Sequence, residues 1–365
     1  MTVDLSPWTP TSIDTGDFTA SPSLDIALGL FGDGVAVFQF QTGILDRFDD
    51  YSFFENDLDA ARGAPHTARF LQLSPGRDSL TVAAGSVPGN LFVANLVDLE
   101  SPFSQLPSAF ECQDCQSMQP IGAAVLTTPM GDRLAVMDES GNFSRSLPRI
   151  HITDATSSGV WPTDATASVA TLDIVTDFRA TFVAHDVNQD GFDDIVSTAF
   201  GTRFTPPVIA VTYGPISTGS TANAPRIQLS SPANSGTYGP AIACDLYPDN
   251  AAVELIAGLN GYPHAIQLFA APTSAVSSTS NALLNSFAAN QDIAGPYAVG
   301  CGDLNGDSYD DLAGLIADNR ETAVHIVFGL LSGTNTSVET RWSVPETTNL
   351  MHVSDMDGDG NAHLF

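Results

Sequence analysis

Residues 186–194 read DVNQDGFDD, and similar stretches recur at residues 303–311 (DLNGDSYDD) and 355–360 (DMDGDG). Each stretch places oxygen-bearing side chains at the first, third and fifth positions of a tight turn, and the first two also do so at the ninth. Oxygen ligands at this spacing suit a hard cation such as Ca2+. The recurrence predicts that the chain is an array of structural repeats, and this decides the fold.

The repeats are spaced by 52 to 60 residues along the 365-residue chain. Each unit contains short apolar runs separated by turn residues, and none has the sustained 3.6-residue period of a long helix. Four strands per unit predict an all-β chain, a β-propeller of four-stranded antiparallel blades. Aligned on the first loop position, the units begin near residues 14, 74, 127, 186, 245, 303 and 355.

The number of blades is open between two values. We favour seven, because seven separate first strands can be identified. The last blade would then take its closing strands from residues 1–13, or lack them. The alternative is six blades, with the last loop completing a blade begun at the N-terminus. In either case residues 1–365 are predicted to form a single domain.

At its acidic loops the chain resembles the FG-GAP, or VCBS-type, repeats of integrin α-chain β-propellers and their microbial relatives. The resemblance is carried by residues 183–196 and 299–314, and the pairs Phe200-Gly201 and Phe328-Gly329 echo the motif that names the family. It implies a seven-bladed propeller that holds Ca2+ in hairpin loops between the first two strands of some blades. It does not imply one activity, because the scaffold serves adhesion, carbohydrate binding and assembly alike.

Carried over residue by residue, the resemblance implies two complete ligand sets and a weaker third. Each complete set combines side-chain oxygens with a backbone carbonyl from the seventh position. The first is Asp186, Asn188, Asp190, Asp194 and the Phe192 carbonyl; the second is Asp303, Asn305, Asp307, Asp311 and the Tyr309 carbonyl. The third is Asp355, Asp357, Asp359 and Asn361, and His363 stands there in place of the ninth acid.

Other loops have departed further from the pattern. The loop at Asp245 keeps Asp249, and Glu254 is displaced by one position from the ninth. The loop at Asp14 keeps Asp17, with Asp25 after an insertion; the copies around Asp78 and Asp132 have lost the pattern. In the loop at Asp303, Ser308 replaces the usual glycine of the sharp turn, so slight strain is expected there.

The charge of the chain bounds its partners. The net charge is −30 and all 12 basic residues are arginine, which argues against nucleic acid and anionic membrane surfaces as ligands. No apolar stretch approaches the roughly 18 to 20 residues of a membrane span. An extracellular or surface-exposed protein with bound cations is expected, although residues 1–10 do not read as a secretory signal.

Four cysteines are present. Cys112 and Cys115 are expected to form a local disulfide or to be free thiols, rather than half of a zinc knuckle. Cys244 and Cys301 precede two of the acidic loops, at offsets that differ by one residue. On neighbouring strands their side chains would point to opposite faces, so no disulfide is expected between them.

Two classes of function compete. The first is a Ca2+-stabilised binding or adhesion module that recognises a protein or glycan, either alone or as part of a larger assembly. The alternative is a carbohydrate-active hydrolase or lyase, although no HExxH, GxSxG or phosphate-binding loop motif is found. Several aromatic residues near turns could stack on sugars, but packing between blades is the expected role: Trp8, Trp161, Tyr238, Tyr262 and Trp342.

Overall fold

All regular structure in the described part of the chain is β-strand, which confirms the predicted all-β class. No described residue belongs to a helix with the length and hydropathy of a membrane span. The computed structural model describes residues 10–17, 24–30, 34–41, 44–51, 65–74, 77–84, 90–94, 108–110, 120–128, 131–138, 149–154, 170–173, 181–199, 208–216, 219–220, 226–230, 237–246, 253–260, 265–270, 283–288, 293–318, 321–328, 338–344 and 350–365.

The contacts divide the chain into two compact units, and the first comprises residues 1–173 with 217–221. It contains three sheets in which consecutive strands pair antiparallel. The first sheet is β1 (Pro10–Gly16), β2 (Asp25–Leu30), β3 (Gly34–Gln41) and β4 (Ile44–Tyr51). The second is β5 (Pro65–Ser74), β6 (Arg77–Ala84), β7 (Asn90–Ala94) and β8 (Ser108–Phe110). The third is β9 (Pro120–Leu126), β10 (Arg133–Asp138), β11 (Arg149–Asp154) and β12 (Ala170–Asp173).

The second unit comprises residues 174–216 with 222–365 and contains four sheets. The fourth sheet begins with β13 (Thr181–His185), β14 (Asp194–Ala199) and β15 (Val208–Thr212). Next along the chain is β16 (Gly219–Ser220), which belongs to the first unit. It adds a parallel fifth strand beside β12 in the third sheet, which the repeat pattern did not predict. The fourth sheet then ends with β17 (Arg226–Ser230).

Three further sheets follow in the second unit. The fifth is β18 (Thr237–Cys244), β19 (Glu254–Asn260), β20 (Ala265–Ala270) and β21 (Leu283–Ala288). The sixth is β22 (Ile293–Gly302), β23 (Asp311–Asp318), β24 (Glu321–Phe328) and β25 (Val338–Val344). The seventh has only two described strands, β26 (Val353–Ser354) and β27 (His363–Leu364).

Successive side chains of each strand point to opposite faces of the sheet, and both faces are apolar. Consecutive sheets of the second unit therefore pack face to face. On β23, Leu312 and Ile316 join a buried cluster with residues of the fifth sheet. Ala313 and Leu315, the residues between them on the opposite face, join a cluster with Met351 and the seventh sheet. A sheet that is apolar on both faces needs a neighbour on each side, as the repeat array predicts.

The mouth of the first hairpin has the same register in five sheets. The last residue of the first strand pairs with the first residue of the second strand, and that second residue is acidic in four of the five. The pairs are Gly16–Asp25, His185–Asp194, Cys244–Glu254, Gly302–Asp311 and Ser354–His363. All four carboxylates are at most 1% exposed, and we call them the hairpin-mouth carboxylates.

Each of the last three hairpin-mouth carboxylates accepts a hydrogen bond from the backbone N–H of the second loop residue. The donor–acceptor pairs and distances are Val187 N to Asp194 Oδ2 at 3.1 Å, Leu246 N to Glu254 Oε2 at 3.1 Å, and Leu304 N to Asp311 Oδ2 at 3.0 Å. A buried carboxylate and a buried amide each need a partner, and here they satisfy one another.

This register corrects two details of the alignment by sequence. Asp14 lies inside β1, paired with Ala27, and is not a loop residue. The first loop therefore starts at Asp17, and Asp25 occupies its ninth position with no insertion. Glu254 follows a loop that is longer by one residue, yet it takes the same place in the register as Asp194, because its longer side chain still reaches the loop amide.

Cys244 and Cys301 form a disulfide, so the expectation that they are unpaired is wrong. Their Cα atoms are 6.4 Å apart. The argument from opposite faces applies to neighbouring strands of one sheet, whereas these residues lie on β18 and β22, in two sheets packed face to face. When two sheets stack, side chains on the two faces that look toward each other meet at the interface between the sheets. Cys112 and Cys115 lie outside the described residues.

A pair of substitutions at Glu254 tests the hairpin-mouth carboxylate. Glu254→Met keeps most of the side-chain volume but removes the acceptor of the buried Leu246 N–H, so we expect a loss of about 1–3 kcal/mol in the free energy of unfolding. Glu254→Gln retains a carbonyl acceptor and should lose less. Urea unfolding measured in EGTA checks both values. Equal stability of Glu254→Met and the unsubstituted protein would contradict the assigned role.

Candidate metal-binding loops

The loop 186–194 is closed by backbone amides that donate to its own oxygen-bearing side chains. Gly191 N donates to Asp186 Oδ2 at 2.7 Å, Asp190 N to Asn188 Oδ1 at 3.0 Å, and Phe192 N to Asp190 Oδ1 at 3.0 Å. Positions one, three and five thus accept from positions six, five and seven. These bonds fold the turn so that its oxygen-bearing side chains converge.

The loop 303–311 repeats the pattern. Ser308 N donates to Asp303 Oδ2 at 2.6 Å, Asp307 N to Asn305 Oδ1 at 2.9 Å, and Tyr309 N to Asp307 Oδ1 at 3.0 Å. Two loops of different sequence therefore present the same residue types in the same hydrogen-bond frame.

The loop 355–361 also keeps this frame, although it lacks the ninth acid. Gly360 N donates to Asp355 Oδ2 at 2.9 Å, Asp359 N to Asp357 Oδ1 at 3.3 Å, and Asn361 N to Asp359 Oδ1 at 2.7 Å. His363 begins β27, in the place that Asp194 and Asp311 occupy in the other two loops.

Two positions of every such loop have positive φ. The fourth and sixth residues and their φ angles are Gln189 at 59° and Gly191 at 88°, Gly306 at 80° and Ser308 at 71°, and Gly358 at 73° and Gly360 at 91°. Glycine adopts this region without penalty, whereas a residue with a Cβ is strained there. The strain expected at Ser308 therefore has its structural basis, and Gln189 is a second such position that the sequence alone did not indicate.

The carboxylates of a loop differ in their electrostatic surroundings. Burial raises the pKa of Asp194 to about 6, against the hydrogen bonds that it accepts from Gly214 and Val187, and repulsion from Asp190 and Asp186 adds to the increase. The carboxylate is thus held in an environment that disfavours its negative charge.

Asp303, the first residue of its loop, shows the opposite behaviour. Desolvation acts to raise its pKa, but hydrogen bonds from backbone amides, with Ser308 and Gly306 first among them, outweigh that effect and lower the pKa. A carboxylate that remains ionised, and that is surrounded by backbone amides, is better suited to bind a cation than to donate a proton.

The amide side chains of the third position presently donate to a carboxylate. Asn188 Nδ2 lies 3.0 Å from Asp190 Oδ2, and Asn305 Nδ2 lies 3.1 Å from Asp307 Oδ2. A cation bound to Asp190 or Asp307 would compete for these oxygens. The amide groups would then have to turn so that their own oxygen faces the ion.

Consecutive loops of the second unit are in contact through their eighth positions. The Asp310 carboxylate accepts a hydrogen bond from the backbone N–H of Asp245, while burial and repulsion from Asp245 and Asp303 raise its pKa. Ala362 N donates to the Asp303 carbonyl oxygen at 2.6 Å. The loops at 303 and 355, and Asp245 at the start of the preceding loop, therefore lie side by side along one edge of this unit.

Within each predicted ligand set, the loop side chains and the ninth-position acid differ in their surroundings. The first, third and fifth side chains of each loop share one hydrogen-bond frame, whereas Asp194 and Asp311 lie buried at strand starts and bond to backbone amides. In the third loop, the sequence pattern missed a possible ligand, because ligand atoms of Asp355, Asp357 and His363 lie within 4.8 Å of one another. Its only sequence signal was a histidine at the ninth position.

The copy around Asp132, which was predicted to have lost the pattern, differs in structure too. Between β9 and β10, Gly131 N donates to the Thr128 carbonyl at 3.0 Å, and Arg133, the first residue of β10, stands where the hairpin-mouth carboxylate would be. Arg133 pairs instead with Asp154 across the sheet at 2.6 Å.

Among the aromatic residues singled out by sequence, Trp342 on β25 is 51% exposed, so the expectation that it packs between sheets is wrong for this residue. Tyr309, whose carbonyl belongs to the second predicted ligand set, is 38% exposed. Trp8, Trp161 and Tyr262 lie outside the described residues, and the surroundings of Tyr238 are not described.

Reciprocal substitutions at the sixth loop position test the backbone requirement. Ser308→Gly should stabilise the protein by about 1 kcal/mol, because serine is strained at φ 71°. Gly191→Ser should destabilise it by a similar amount, although open space surrounds a Cβ there. Thermal unfolding in excess EGTA checks both. Shifts of the same sign in the two variants would contradict a conformational cause.

Comparisons with known proteins bear on the fold. No protein-family profile matches the chain, and no curated protein matches it. A crystal structure of BBS1N in complex with ARL6DN, soaked with lead, is similar over 98% of this chain and 87% of that chain, with a TM-score of 0.52 and 13% identity. A lectin from Agrocybe aegerita that recognises non-reducing terminal N-acetylglucosamine matches 92% of this chain and 79% of that chain, with a TM-score of 0.42 and 13% identity. The first likeness is to a β-propeller, and at this identity it shows the fold alone.

Proposed function

We propose that the chain is a Ca2+-stabilised β-propeller of the FG-GAP or VCBS type, with seven blades, that acts as a binding module. The observation that carries the proposal is the hydrogen-bond frame shared by the loops at 186 and 303, which gathers oxygen-bearing side chains at the first, third and fifth positions. An array of such loops is a scaffold for recognition, and we propose a protein or glycan as its ligand.

The donor set of the first two loops fits Ca2+. Each loop gathers carboxylate and amide oxygens within nine residues, without a nitrogen or sulfur ligand, which is the chemistry of a hard cation. Asp186, Asn188, Asp190 and Asp194 would hold one ion, with the Phe192 carbonyl. Asp303, Asn305, Asp307 and Asp311 would hold another, with the Tyr309 carbonyl.

The balance of charge within the loops also supports a cation. Asp194 is repelled by Asp186 and Asp190, and Asp310 by Asp245 and Asp303. A bound divalent cation would supply the positive charge that relieves this repulsion. Ca2+ would therefore stabilise the hairpins rather than carry out chemistry.

The environment that we propose is extracellular or at the cell surface. The Cys244–Cys301 disulfide supports it, because disulfides form and persist in oxidising compartments. The net charge of −30 favours a solvent-facing protein and disfavours a nucleic-acid partner. Exposed Trp342 offers a flat apolar surface of the kind that protein and glycan ligands contact.

Removal of Ca2+ should lower the melting temperature. A ligand at a hundredfold excess over its Kd stabilises the folded state by about 3 kcal/mol for each site. Calorimetric titration of the apoprotein should find two Ca2+ sites, and Asp186→Ala and Asp303→Ala should each remove one. Asp132→Ala, at an exposed turn without the ligand pattern, is the matched control. An unchanged melting curve in excess EGTA would contradict structural Ca2+.

A glycan array probed with and without Ca2+ tests the binding role. We expect a defined set of glycans to be bound without turnover, and binding to weaken in EGTA as the loops loosen. Trp342→Ala measures the contribution of the exposed indole. Release of shortened products from a bound glycan would instead identify the carbohydrate-active enzyme.

A further inference from the structure

The loop 355–361 differs chemically from the two loops that it resembles. Its backbone frame is the same, but the residue at its hairpin mouth is His363, paired with Ser354, where the others have a buried aspartate. The change replaces a possible bidentate oxygen ligand with one imidazole nitrogen. Ca2+ binds six to eight oxygen ligands, so this loop is a poor Ca2+ site.

The imidazole lies within reach of two loop carboxylates. One ligand atom each from Asp355, Asp357 and His363 can be chosen so that all lie within 4.8 Å of one another. Ligands that share a metal ion at about 2.0–2.2 Å lie roughly 3–4 Å apart, so small side-chain rotations suffice to bring the three atoms to one ion.

The side chains of this group are held before any ion binds. Asp355 accepts hydrogen bonds from Gly358 N and Gly360 N, both at 2.9 Å. Reciprocal backbone bonds between His352 and Phe365, at 3.0 and 2.9 Å, extend the hairpin beyond β26 and β27. The ring of Phe365 lies 6.2 Å from that of His363. A site held in this way loses little conformational entropy on binding.

We propose that Asp355, Asp357 and His363 form a binding site for a divalent transition metal of the Zn2+ class, distinct in selectivity from the Ca2+ loops. Imidazole nitrogen together with carboxylate oxygen is a donor set that Zn2+ and its neighbours prefer over Ca2+. Asp357 is exposed, and Asp355 and His363 are half-buried, so an ion can enter from solvent. Three protein ligands leave room for water to complete the coordination.

This site does not depend on Ca2+ being bound at the other loops. It rests on a nitrogen ligand and two carboxylates of the C-terminal hairpin, whereas the Ca2+ proposal rests on the loops at 186 and 303. The two can fail separately, and an experiment in excess Ca2+ separates them.

The test is a titration of the full chain with Co2+, followed through its visible absorption, in buffer with excess Ca2+. We expect one equivalent to bind and to be displaced by Zn2+ but not by added Ca2+. His363→Ala should weaken Co2+ binding by at least about 10- to 100-fold, because loss of a direct ligand should cost no less than loss of a residue that only supports one. His352→Ala, which alters a histidine on the same hairpin, is the matched control and should bind Co2+ as the unsubstituted protein does.

A second variant guards against loss of folding. His363→Asp restores the residue found at this place in the loops at 186 and 303, so it should fold, lose Co2+ binding and gain one Ca2+ equivalent. Undiminished Co2+ binding by His363→Ala or His363→Asp would overturn the proposal, and so would absence of Co2+ binding by the unsubstituted chain.

Discussion

The hydrogen bond between a buried hairpin-mouth carboxylate and the second amide of the loop that precedes it is the interaction on which the hairpins at 186, 245 and 303 depend. Asp194 and Asp311 are completely buried, and each has an oxygen about 3 Å from a loop amide. Burial of an unpaired carboxylate would cost several kcal/mol, and so would burial of an unpaired amide, so each group requires the other. The pair determines where the first strand ends, and with it which residues of the second strand face each neighbouring sheet.

The loops and the sheets constrain one another through this register. A shift by one residue would turn Leu312 and Ala313 to the wrong sheets, because successive residues of a strand face opposite sides. The hairpin-mouth carboxylate opposes that shift at one end of the strand. At the loop edge, the contacts of Asp310 with Asp245 and of Ala362 with Asp303 join each loop to its predecessor. An acidic loop is thus also a structural contact between sheets.

Most of the fold could be predicted from the sequence because the acidic loops act as markers of the repeat. Their spacing predicts sheets of short strands in chain order, and the three best loops share one frame. The predicted loop positions were wrong where they relied on aspartate alone. Asp14 belongs to a strand and not to a loop. Asp25 and Glu254, which the sequence pattern placed away from the ninth position, take the same place in the strand register as Asp194. Strand pairing, which depends on contacts across the hairpin, was needed to assign these residues.

The remaining differences arise from contacts that no local pattern encodes. The Cys244–Cys301 disulfide depends on the stacking of two sheets, and the parallel pairing of β16 with β12 joins residues about 50 positions apart in sequence. The metal preference proposed for the last loop depends on one side chain. The sequence shows that His363 replaces the ninth-position acid of the other loops. Its proposed role as a nitrogen ligand follows only from its distance to Asp355 and Asp357.

The interface between the fifth and sixth sheets limits how far this chain can be treated as a set of modules. Ile266 fills the space beside Gly314 where any other residue would place a Cβ, and Cys244 meets Cys301 across the same interface. Each contact needs a particular partner from the adjacent repeat, although repeat proteins are commonly shuffled, shortened or extended by whole units. Exchange of either repeat alone would separate Ile266 from Gly314, and it would leave Cys244 or Cys301 without its disulfide partner. These two repeats, from Thr237 to Val344, are therefore a single inheritable and engineerable unit of 108 residues, about twice the apparent period.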